Sequence, residues 1–106
     1  MWYVSQSLKD SFVEREAKVV DAIRKSGIDY VRFGIFGSYA RGEYTTLSDI
    51  DFCVIVNKKP ERCLSGGLRE EADLLGADIV FVTQQYFNED NSQFAQQLRR
   101  DFKEIQ

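Results

Sequence analysis

The chain has 106 residues, 43% of them hydrophobic and 29% charged, with a net charge of −3 at pH 7. This suits one globular domain with a single modest core, and it is too acidic for a protein held to nucleic acid by general electrostatics, which runs basic. There is no histidine, which excludes a histidine-based triad and a mixed zinc site, and no run approaches the roughly 20 apolar residues of a membrane span.

We therefore expect a single domain over residues 1–106 with no direct nucleic-acid or membrane binding. The two cysteines, Cys53 and Cys63, predict no disulfide, because no secretory segment is visible and the expected location is the cytoplasm. Cys53 falls in an apolar run and reads as a small core group; Cys63 reads as a helix residue.

Residues 1–4 make a short apolar start that packs on the domain or on a partner. Leu8, Phe12, Val19, Val20 and Ile23 then recur at near-helical spacing, which predicts a helix over 8–25. Ser7 is its expected cap, Asp10 lies in its first turn, and Gly27 follows its end. Residues 30–36 read as a first strand, with Gly34 allowing close backbone packing. A short helix or turn over 38–42 and a polar loop over 43–47 lead to a second strand, Ile50–Val56. Ser48 either caps that strand's start or stands near a ligand.

Pro60 suits the first position of a helix over 61–75, in which Leu64, Leu68, Ala72 and Leu75 form the apolar stripe. Gly66 and Gly67 each cost about 1 kcal/mol relative to alanine, so this helix is expected to begin properly at Gly67 or to bend there. Asp78 opens a third strand over 78–82, and 83–88 forms a turn, helical in one reading. From Ser92 onward, Phe94, Leu98, Phe102 and Ile105 mark one face of a last helix.

The chemistry concentrates between the first two strands. Asp49 and Asp51 stand two residues apart at a strand mouth, so their side chains point the same way. Like charges held that close repel unless a cation sits between them. Oxygen ligands of this kind suit Mg2+, which is commonly shared between carboxylates and substrate phosphates. Gly37 permits a ligand to approach the backbone, and Ser38 is placed to cap the short helix, whose free N–H groups would face a phosphate. Asp78 supplies a third carboxylate at the start of another strand. If Gly37 and the three acids meet, the first strand must run antiparallel to the second and third, which are parallel to each other through a crossover helix.

Gly37-Ser38-x-Ala40-Arg41-Gly42, ten residues from Ser38 to Asp49-Ile50-Asp51, and the later acid Asp78 resemble the DNA polymerase beta-like nucleotidyltransferase superfamily. The likeness covers about residues 31–82 and is greatest to the minimal nucleotidyltransferases (MNT). It implies an α/β (α+β) nucleotidyltransferase fold: a small mixed sheet of three strands or slightly more, flanked by helices. It also implies that Asp49, Asp51 and Asp78 are catalytic residues holding two Mg2+ ions, and that Gly37 and Ser38 bind the triphosphate of ATP, the co-substrate. Arg41 either offsets phosphate charge or pairs with Glu43 on the surface.

The same resemblance implies transfer of AMP to an acceptor hydroxyl. In the MNT branch the usual partner is a HEPN-domain toxin, and the expected role is an antitoxin that modifies that toxin. The chain shows almost nothing beyond a catalytic core, so the acceptor site is expected from a partner or a second copy in a homo-oligomer. Two alternatives stand beside this reading: a nucleotidyltransferase for a small antibiotic-like acceptor, and an antitoxin that acts by binding alone.

Overall fold

The computed structural model describes residues 6–106, so the apolar start at 1–4 lies outside the described residues. Its elements in chain order are α1 (Gln6–Lys25), β1 (Arg32–Phe36), α2 (Gly37–Arg41), β2 (Ile50–Val56), α3 (Arg62–Leu74), β3 (Ala77–Thr83), α4 (Gln84–Glu89), α5 (Gln93–Asp101) and β4 (Lys103–Ile105). The strands form one mixed sheet in the order β3-β2-β1-β4. β1 is antiparallel to β2, and β2 is parallel to β3 with α3 as the crossover, as the grouping of the acids requires.

Alternation along β2 divides the core in two. Ile50, Phe52, Val54 and Val56 face one way and pack with Phe12, Val19 and Ile23 of α1 and with Leu68 and Ala72 of α3. Cys53 and Ile55 face the other way and pack with Phe87 of α4 and Leu98 of α5. The helices thus cover both faces of the sheet. Burial pushes the Cys53 thiol up to about 12. Cys53 and the exposed Cys63 are both free thiols. None of the described helices is long and apolar enough to cross a membrane.

Several boundaries differ from expectation. α1 starts at Gln6, so Ser7 lies inside the helix rather than capping it. α3 begins at Arg62 with Glu61 as its cap residue and runs unbroken through Gly66 and Gly67, leaving Pro60 outside. Packing of its buried Leu68 and Ala72 outweighs the local glycine cost. α4 is a real helix, and the Thr83 hydroxyl accepts a hydrogen bond from the Tyr86 amide at 3.1 Å at its cap. Ser92 caps α5 in the same way, accepting from Ala95.

The largest correction is at the C-terminal end. The last helix stops at Asp101, Phe102 turns extended, and Lys103–Ile105 pairs antiparallel with β1. A helix would have kept Phe102 and Ile105 on one face. The strand instead sends Phe102 to the α4/α5 side and Ile105 to the α1/α3 side, so each joins a different core. Gly34 makes this possible. It pairs with Glu104, and a Cβ there would collide with the Lys103 carbonyl. Arg32 also pairs with Glu104 across the two strands at 3.2 Å. Gly34→Val is therefore expected to lower the unfolding free energy by about 1–3 kcal/mol, the usual cost of overpacking. Urea denaturation measures this, with faster amide exchange at 103–105; unchanged stability would contradict the seat of β4.

Candidate active site

The site begins where β1 ends. Gly37 follows Phe36 with φ +77°, a left-handed conformation that glycine adopts without penalty, and the chain turns directly into α2. The same residue meets Asp51: a Cβ built on Gly37 would lie 2.5 Å from Asp51 Oδ2. The left-handed backbone favours glycine here, and its missing side chain leaves the Asp51 carboxylate its place. Phe36 is the register partner of Asp51 across the antiparallel pair, which sets the turn against the carboxylate.

Asp51 and Asp78 are register partners in the parallel pair β2–β3, so their side chains leave the same face of the sheet. Asp49 stands two residues before Asp51, just outside β2. Asp51 is half-buried, while Asp49 and Asp78 are exposed. Burial pushes the Asp51 carboxyl above its ordinary range, the charges of Asp78 and Asp49 push it further, and Arg41 pulls the other way. The three acids therefore act on one another at the end of the sheet. Among the described residues, no three acidic, cysteine or histidine side chains are gathered closely enough to form a ready metal cage. Their chemistry nevertheless fits a divalent cation, since the repulsion centred on Asp51 is what a cation would relieve.

Ser38 does not cap α2. The cap position is Phe36 with no side-chain hydrogen bond, and Ser38 lies inside the helix, where its carbonyl accepts from the Glu43 amide at 2.9 Å. Ser48 does not bond to the start of β2 as a cap. It closes a turn, its Oγ accepting from the Thr45 amide at 2.9 Å, and so fixes the approach to Asp49. For Arg41, the pairing with Glu43 forms: Nε donates to Glu43 Oε1 at 2.9 Å. A second partner was not foreseen. Arg41 Nη1 donates to Asp101 Oδ2 at 2.6 Å, and the Asp101 side chain is only 4% exposed. No sequence signal marks Asp101, which closes α5 on a polar stretch.

Tyr39 and Tyr44 pack on Phe12, with ring centroids 5.3 and 4.4 Å away, and belong to the core on the α1/α3 face. The acids leave the opposite face, since Asp51 alternates with Phe52 along β2. Burial, together with a hydrogen bond to Glu16, raises the Tyr39 phenol well above its ordinary range, as expected for a packing role.

This arrangement was compared with known proteins. A search of curated proteins returned no significant match. Among solved structures, a toxin–antitoxin crystal structure with AMP-PNP superposes with a TM-score of 0.62 at 23% identity, over 84% of this chain and 70% of that one. A chain of the complex between a tri-AMPylated HEPN toxin and its MNT antitoxin from Shewanella oneidensis gives 0.53 at 19% identity, over 85% and 67%. A chain assigned as a minimal nucleotidyltransferase gives 0.57 at 26% identity, over 92% and 93%. The profile of the family described as "Nucleotidyltransferase domain" matches residues 16–105, which takes in the glycine turn, all three acids and the sheet that holds them. The chain belongs to that nucleotidyltransferase family.

Proposed function

We propose that this chain transfers AMP from ATP to an acceptor hydroxyl, and that it acts as the antitoxin of a HEPN-domain toxin by modifying it. The observation that carries the reading is the contact between Gly37 and Asp51. It sets a glycine turn of the kind that suits a phosphate beside Asp51, the acid whose carboxyl Asp78 and Asp49 act on. The antitoxin part rests on the kind of structures the fold superposes on, which include toxin–antitoxin complexes with a nucleotide analogue or an AMPylated toxin.

Asp49, Asp51 and Asp78 would hold Mg2+, with Gly37 and Ser38 along the triphosphate. Bound there, the metal would supply electrophilic stabilisation of the phosphoryl oxygens and lower the pKa of the acceptor hydroxyl. The chain's own residues do the rest. Asp51, half-buried and against Gly37, fixes where the α-phosphate can lie. Asp78, exposed on the outer strand, is open to an approaching acceptor and takes its proton. The acceptor oxygen forms a bond to the α-phosphorus, the bond to the bridging oxygen breaks, and pyrophosphate leaves with that electron pair.

Asp49→Asn and Asp51→Asn are expected to abolish Mg2+-dependent ATP binding in calorimetry while leaving the circular dichroism spectrum unchanged. Full binding by both variants would sink the metal assignment. A second prediction concerns stability. Asp51 has a raised folded-state pKa, so the ionised form above that pKa disfavours the folded state; the penalty fades as pH falls toward the ordinary value near about 3.9. Asp51→Asn should therefore raise Tm by a few degrees at pH 7 without metal, and this advantage should shrink at acid pH. A lower Tm for the variant at pH 7 would show that Asp51 is not held against repulsion.

A further inference from the structure

Arg41 divides its guanidinium between two carboxylates in very different surroundings. Asp101 is buried, with its side chain 4% exposed, and it is the one buried charged residue among those described. Glu43 has a side chain 67% exposed. Withdrawing Arg41 from Asp101 would leave the buried carboxylate only a long contact, 3.8 Å, with the exposed Arg100, which is unfavourable. Withdrawing it from Glu43 costs little, because water replaces an exposed ion pair readily. Gly42, with φ +77°, separates Arg41 from Glu43.

Position gives this asymmetry a use. Arg41 ends the five-residue helix that begins with Gly37 and Ser38, so an anion bound along those two residues would lie about one helical turn from the guanidinium's own backbone. A guanidinium is a planar fork of five donors, so one edge can stay bonded while another changes partner.

We propose that Glu43 is a built-in stand-in for a nucleotide phosphate on Arg41, and that Asp101 is a positioning residue that keeps the guanidinium aimed while Glu43 yields. This rests on the reading of the site as an ATP site. In it, phosphate displaces the Glu43 carboxylate from Nε, and the Asp101 bond to Nη1 persists. Glu43 then sets a threshold on nucleotide affinity, and Asp101 sets the geometry of capture.

The test is calorimetric titration of MgATP into the wild type and into Glu43→Gln, Asp101→Asn and the double variant Arg41→Ala/Asp101→Asn. Glu43→Gln should tighten Kd by about threefold, the scale of an exposed ion pair. Asp101→Asn should weaken it. Removing any negative charge near an anion tightens binding in general, so Glu43→Gln is repeated in the Arg41→Ala/Asp101→Asn background, which removes both partners of the buried contact and where the gain should vanish. A gain of equal size there, or an unchanged or weaker Kd for Glu43→Gln alone, would overturn the proposal. If Asp101→Asn alone does not fold, Glu43→Gln in the wild type and in the double variant still decides. Wild type that binds no MgATP would overturn the nucleotide reading itself, and this proposal with it; binding with no shift in Glu43→Gln overturns this proposal alone.

Discussion

Electrostatic repulsion at one end of the sheet is the constraint around which the rest of the molecule is arranged. Asp51 and Asp78 are register partners, Asp49 stands two residues away, and Asp51 is half withdrawn from water. A fold selected for stability alone would spread such charges. Here the sheet order concentrates them: parallel pairing sets the β2 and β3 acids side by side, and antiparallel pairing brings the end of β1 to the same place. The cores on both faces of the sheet compensate, with Phe12, Phe52, Ile55 and Leu98 all fully buried.

Glycine carries much of the precision. Gly37 lets the chain reverse from strand to helix while touching Asp51. Gly34 lets β4 lie against β1, which closes the sheet on the side away from the acids. Asp101 then links the two ends of the design. It terminates α5 just before β4 and reaches Arg41 at the end of α2, so the C-terminal segment and the helix at the site are joined by an ion pair buried on its Asp101 side.

The first three strands were legible because each is a compact apolar run, and the requirement that three acids and one glycine turn converge dictates their directions. The face of α1 was legible because Phe12, Val19 and Ile23 keep helical spacing over its length. β4 was not legible. Phe102 and Ile105 are three residues apart, a spacing that fits a helical face as well as it fits two sides of a sheet, and only the vacant edge of β1 decides between them. The start of α3 was hidden because local glycine propensity argues one way and tertiary packing the other. At the site, the alignment of Asp49 with Asp51 was readable from their spacing and the register of Asp78 with Asp51 only from the pairing of the strands, whereas Ser38 as a cap was not sustained: Gly37 already begins the helix. Asp101 could not have been found, since a single aspartate at a helix end reads as solvated, and its burial depends on how α5 meets α2.

The central claim is that these residues transfer a nucleotide. The direct measurement incubates the protein with Mg2+ and a lysate of its own cell, using ATP labelled either at the α-phosphate or at the γ-phosphate. The account predicts that α-label becomes covalently attached to an acceptor, that γ-label does not, and that Asp51→Asn abolishes the attachment. Transfer of the γ-label, α-labelling that survives Asp51→Asn, or no attachment at all would contradict it.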